Sequence, residues 1–180
     1  MDLSAIGAFA AVAILLNRLI AIPAPFLPFL YYEVWEIPIV VAFLAFGARV
    51  AVPAAIVNFF VLLLFPGVIL AGPLYNLIAI LSMLSGIAIS GRFFSKNNGS
   101  EGKKFNVALS TLLGMVLRVS VMTVVNAALL QLPPPLGFSA TISLIKYWLP
   151  LIAFFNATVC LYTIPVAYAV ARASGRLLRR

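Results

Sequence analysis

Histidine is missing from all 180 residues, and cysteine occurs once, at Cys160. Without histidine the chain lacks the commonest proton shuttle and metal ligand. A single thiol forms neither an intrachain disulfide nor a cysteine-based metal cluster. Acids are scarce as well, with four Asp and Glu in total. No triad, acid/base pair or metal set is recognisable within the apolar segments, which argues against an enzyme. A glycine-rich phosphate loop is also lacking, so nucleotide hydrolysis is not expected of this chain, and any transport it performs must draw on a partner or an ion gradient.

What is present is oil: 64% of residues are hydrophobic and 9% charged, against roughly 25% charged in an ordinary soluble domain. Such a chain belongs in a bilayer, in the cell membrane. At roughly 20 residues per crossing, its length accommodates about six helices with short connections, in a single transmembrane domain over residues 1–180. The formal charge of +8 does not point to nucleic acid, because the cations sit at the ends of apolar runs and not on a polar face between aromatics.

The first apolar run, from about Ser4 to Ile22, has no basic leader or small-residue cleavage site and reads as a retained helix. It stops at Pro23, Pro25 and Pro28, where amide donors are missing. A longer outer loop is expected through Tyr31, Tyr32, Glu33 and Trp35. Ile37 to Phe65 is too long for one crossing and is interrupted by Gly47, Arg49 and Pro53, so a tight hairpin of two short helices is expected. Gly67 and Gly72 permit a turn before a fourth helix over about Pro73 to Phe94. The stretch SKNNGSEGKK, Ser95 to Lys104, reads as solvated. Helix five is expected over about Phe105 to Leu130, ending before Pro133, Pro134 and Pro135, and helix six over about Lys146 to Ala173, followed by a basic RLLRR tail.

Lys and Arg counts orient the bundle. Arg49, Arg92, Lys96, Lys103, Lys104, Arg172, Arg176, Arg179 and Arg180 fall on one side. The other side has Lys146, the acids Glu33 and Glu36, and aromatic anchors at Tyr31, Tyr32, Trp35, Tyr147 and Trp148. Both termini are therefore expected in the cytoplasm. Glu33 and Glu36, close to a helix start, suit a cap and interface charge.

Polar residues within the apolar runs are costly in hydrocarbon unless they face the bundle interior or water. They are Asn17, Arg18, Asn58, Asn76, Arg118, Thr123, Asn126 and Asn156. Arg118 lies about thirteen residues, roughly 20 Å, into helix five. It needs a partner, and Glu33 and Glu36 are the acids of the outer side. Two readings stay open: a substrate contact or gate, or an ion pair that fixes helix packing. Asn126 and Asn156 present both a carbonyl and an NH2 group, a pattern that suits the edge of a heterocycle and equally suits helix-to-helix bonds. Helix one places small residues four apart, Ser4 with Ala8 and Gly7 with Ala11, which suits close approach of another helix, inside the fold or from a partner.

Three stretches carry a family resemblance. EVWEIPIVVAFLAFGARVAV, Glu33 to Val52, and GPLYNLIAILSMLSGIAI, Gly72 to Ile89, resemble helices two and four of the substrate-binding S components of energy-coupling factor (ECF) vitamin transporters. In the first, Glu36, Ile37, Pro38, Phe46 and Gly47 hold the motif positions, with Glu36 where aspartate is usual. GMVLRVSVMTVVNAAL, Gly114 to Leu129, is similar to helix five of the riboflavin branch through Arg118, Met122, Thr123 and Asn126, and the Phe-Asn pair of helix six is matched by Phe155 and Asn156.

The resemblance implies a six-helix membrane subunit that binds a vitamin, with riboflavin, or else another flavin or heterocyclic vitamin, as the ligand and no resident cofactor. It implies ring contacts at Asn126 and Asn156, with Thr123, Arg118, Asn76 and Phe155 in the same substrate set. It also implies a transmembrane coupling subunit and two ATPase subunits as partners, with Gly7 and Ala11 on the docking face. Val159 stands where the riboflavin branch carries a lysine. The rival expectation is a secondary transporter or small channel driven by an ion gradient, which would need a carboxylate deep in the membrane, and none is expected there.

Overall fold

A computed structural model describes residues 2–65, 67–93 and 100–175. In chain order the elements are α1 (Asp2–Leu19), β1 (Ala21–Ala24), β2 (Leu27–Glu33), α2 (Glu36–Phe46), α3 (Ala48–Leu63), α4 (Ala71–Phe93), α5 (Ser100–Leu129) and α6 (Ile142–Ala173). Four of these, α1, α4, α5 and α6, are long and apolar enough to cross a membrane. The other two are shorter, with 11 residues in α2 and 16 in α3. At 1.5 Å per residue they span about 17 and 24 Å, less than a hydrocarbon layer of about 30 Å.

The connection between α1 and α2 is not an irregular loop. Residues 21 to 33 form an antiparallel hairpin with Ala21 opposite Glu33 and Ile22 opposite Tyr32, and its register shifts at Pro23/Ala24. The prolines that end α1 are tolerated there because a two-stranded sheet consists of two edges, where a missing donor costs little. At the next joint the break falls at Gly47 alone, whose φ of +81° is a left-handed conformation that side chains resist. Arg49 and Pro53, expected to help interrupt the run, lie within α3. α5 begins at Ser100, five residues before the expected Phe105, since Glu and Lys are good helix formers and solvation of a segment does not argue against helix. α6 likewise begins at Ile142, ahead of Lys146. The rest of the solvated stretch, Ser95 to Gly99 with Lys96, lies outside the described residues, as does the tail with Arg176, Arg179 and Arg180.

Asp2 and Arg49 approach to 3.5 Å, placing the starts of α1 and α3 at one end of the bundle. Ser4, Phe46 and Ser174 line one cavity of about 600 Å³ at that same end. At the opposite end Arg18 stacks 3.7 Å over the Phe65 ring, and the Ala71 amide donates to the Pro135 carbonyl. The main core joins α1, α2, α3, α4 and α6 through Ala10, Val40, Ala51, Ile80 and Ile164.

Lipid tails are as apolar as leucine, so burying such side chains against one another gains little beyond close packing, and small residues and interhelical hydrogen bonds matter more. α4 and α5 meet at Gly86 and Gly114, where a Cβ on Gly86 would fall 2.5 Å from the Gly114 Cα. Further along the same helices, the Ser90 and Ser110 hydroxyls lie 2.6 Å apart, and Ser110 reaches the Tyr168 hydroxyl at 2.9 Å, tying α4, α5 and α6 together.

Candidate functional site

α5 turns Arg118, Met122 and Asn126 onto one buried face, because residues four apart stack along a helix. Arg118 is 3% exposed and its guanidinium is held on two sides. Both Nη atoms donate to the carboxylate of Glu36, Nη2 to Oε1 at 2.9 Å and Nη1 to Oε2, while Nη1 also lies 3.8 Å from Met83 Sδ. The Nε donates to Asn156 Oδ1 at 2.8 Å. Glu36 is therefore neither a helix cap nor an interface charge. It is 4% exposed in the first turn of α2, and this buried carboxylate corrects the expectation that no acid lies inside the bundle. Low dielectric makes such a pair strong, and it makes either partner costly once alone.

Asn156 completes the junction from α6. Its Nδ2 donates to the Ile152 carbonyl at 2.9 Å. Asn126, two turns from Arg118 toward the hairpin end, donates its Nδ2 to the Met122 carbonyl at 2.7 Å, and its Oδ1 accepts no hydrogen bond among the described residues. Phe155 is buried beside Ala24 and Val159, with the Tyr32 ring 4.9 Å away. Val159 thus packs under the hairpin. Thr123 is half-buried and makes no side-chain hydrogen bond among the described residues. Asn76 is not part of this cluster; it lines a separate cavity of about 130 Å³ with Asn17, Arg18, Leu62 and Gly72. Asn58 is 2% exposed in α3 and its Oδ1 has no partner among the described residues.

The hairpin closes over α6 around Phe154, Thr158 and Tyr162. Tyr32 Oη and Thr158 Oγ1 are 2.9 Å apart, and Tyr162 Oη donates to the Glu33 carbonyl at 2.6 Å. Phe26 packs edge-on to Phe154, and Leu27 is buried with Leu130, Ile145 and Ile152. Asn17 donates to Glu33 Oε2 at 3.2 Å. Burial, reinforced by the nearby Glu36 charge, pushes the Glu33 carboxyl up to about 7, against smaller opposing effects from Trp35 and Arg18. Sequence reasoning missed Tyr32, Thr158 and Tyr162. Tyr32 carried a usable signal, since it alternates with the exposed Tyr31 as strand residues do.

No protein-family model matches the chain. No curated protein matches it either. A solved structure does, described as the S component of a bacterial ECF transporter, with a TM-score of 0.76 and 20% identity over 99% of this chain and 98% of that one. The fold is that of an ECF S component. It accords with the four helices long and apolar enough to cross a membrane.

On α1, Gly7 and Ala11 lie on the exposed face together with Leu3 and Leu15. A Cβ on Gly7 would meet nothing within 4 Å.

Proposed function

We propose that this chain is the vitamin-binding subunit of an ECF-type ABC importer, with riboflavin as its ligand. The observation that carries this reading is the match to the S-component fold along nearly the whole chain. The buried amides of Asn126 and Asn156, on the outward halves of α5 and α6, add to it. Ligand enters from outside beneath the hairpin, between α4, α5 and α6, with Thr123, Phe155 and Arg118 in or beside the path and Asn76 apart from it. Aromatic and aliphatic walls withdraw a planar ring from water at about 25 cal/mol per Å², and the amides set its orientation. The chain does no chemistry on the vitamin.

Inward release is the work of a coupling subunit and two ATPases, docked on the Gly7 and Ala11 face of α1, with both termini in the cytoplasm. An ion-driven mechanism is disfavoured because Glu36 is engaged by Arg118 at both oxygens and has no free oxygen with which to carry an ion. Isothermal titration of the detergent-solubilised protein with riboflavin tests the reading. Binding tighter than micromolar is expected, and its absence would remove riboflavin as the ligand. Uptake by cells lacking any coupling subunit would count against the partner-dependent mechanism.

A further inference from the structure

An asparagine carboxamide holds one acceptor oxygen and two N–H donors, and at a binding site its use depends on which way round it sits. For Asn156 that choice is forced. Arginine has five N–H donors and no acceptor, so the atom facing Arg118 Nε must be the carbonyl oxygen, whichever way the amide would otherwise be drawn. The contact is 2.8 Å long, and Asn156 and Arg118 are both 3% exposed, so water offers no substitute. The guanidinium cannot turn away either, because Glu36 binds both of its Nη atoms. One Asn156 N–H goes to the Ile152 carbonyl. What remains on the nitrogen is a single N–H donor.

Asn126 differs. Its Nδ2 also bonds one turn back, to Met122, but its Oδ1 is left without a hydrogen bond among the described residues. It can therefore both accept and donate. No charged group locks it, so a ligand that repays the Met122 contact can turn it over.

We infer that Arg118, braced by Glu36, is a positioning residue that fixes the Asn156 carboxamide in one orientation, so that its free N–H is presented to a hydrogen-bond acceptor on the ligand. This rests on the ligand site assigned above and deepens it. The ligand class is a planar heterocycle with a carbonyl oxygen or an unprotonated ring nitrogen at the edge facing α6. An amino or ring N–H group at that point meets a second donor and is rejected. The arrangement uses the charge pair for selectivity without bringing either charge to the ligand.

Two measurements on the full chain in detergent test this. The first needs no ligand: the side-chain NH2 resonances of Asn156 are followed by NMR in protein labelled with 15N-asparagine, with Asn156→Asp for assignment. In wild type they should form one displaced, slowly exchanging pair. Arg118→Lys keeps the charge but loses the planar fork, and the E36M/R118M double variant removes both charges. Both should move the pair toward ordinary values. Resonances unchanged in either variant would overturn the locking.

The second measurement is riboflavin affinity. Asn156→Asp keeps an acceptor for Arg118 and loses the donor, so binding should weaken by about 30-fold, measured on protein that still unfolds cooperatively in detergent. Affinity equal to wild type would overturn the donor role. Wild-type protein that binds no riboflavin would instead overturn the assignment of the vitamin, and the resonances would still decide whether Arg118 holds the amide.

Discussion

Cutting one side of the Glu36–Arg118 pair should cost far more than removing both. Side-chain exposure is 4% for Arg118 and 5% for Glu36, so neither group is rescued by solvent once its partner is gone. Glu36→Gln removes the charge that balances the guanidinium at both Nη atoms. Breaking a buried pair in this way costs about 3–5 kcal/mol, whereas replacing both members by apolar side chains of similar size is near neutral. At roughly 3 °C per kcal/mol for a chain of this size, Glu36→Gln and Arg118→Met should each lower the thermal midpoint by roughly 10–15 °C. The E36M/R118M double variant should stay within about 1 kcal/mol of wild type, giving a coupling energy above about 3 kcal/mol. Thermal unfolding in detergent, read by tryptophan fluorescence, reports this directly, because Trp35 is 2% exposed and adjoins Glu36 in the chain. Single variants that each cost under about 1 kcal/mol, or a double variant whose loss equals the sum of the singles, would refute a tightly coupled interior pair.

Stability should also depend on pH through Glu33. In the folded chain its carboxyl keeps a proton up to about 7, while the ordinary value is 4.5, so between these limits the folded state binds more protons than the unfolded one. Stability should therefore be highest below about pH 4.5 with respect to this group and fall as pH rises to about 7, by at most about 3 kcal/mol, with the thermal midpoint falling in step. Glu33→Gln should flatten that slope, and an unchanged slope would place the titration elsewhere. Gly86→Ala should destabilise the fold by about 1–3 kcal/mol and so lower the thermal midpoint, because its Cβ has no room against Gly114, and an unaltered midpoint would show that α4 and α5 separate freely. Gly7→Leu should leave folding and riboflavin affinity intact and impair uptake in cells with a coupling module; normal uptake would remove Gly7 from the docking face. Asn126→Ala should weaken riboflavin binding by about tenfold in titration at a near-constant midpoint, and wild-type affinity would exclude it from the site.

Taken alone, the sequence determined the solvent, the helical class, the six helical segments and the presence of polar residues with reason to meet inside. Hydrophobic run length and the positions of Gly47 and the proline clusters are local properties, and they were enough for this. The need of Arg118 for an acid was equally legible, since so few acids were on offer. Tertiary structure decided which acid it was and what else the guanidinium touched. Glu33 and Glu36 are three residues apart, and only the path of β2 into α2 turns one carboxylate toward Arg118 and the other toward Asn17. The hairpin itself escaped a reading guided by prolines, because strand pairing depends on a partner segment and on the α6 surface beneath it. The separation of Asn76 from Arg118 and Asn156 was hidden for the same reason. Sequence spacing orders residues along a helix, but which helix faces which is set by packing between segments far apart in the chain.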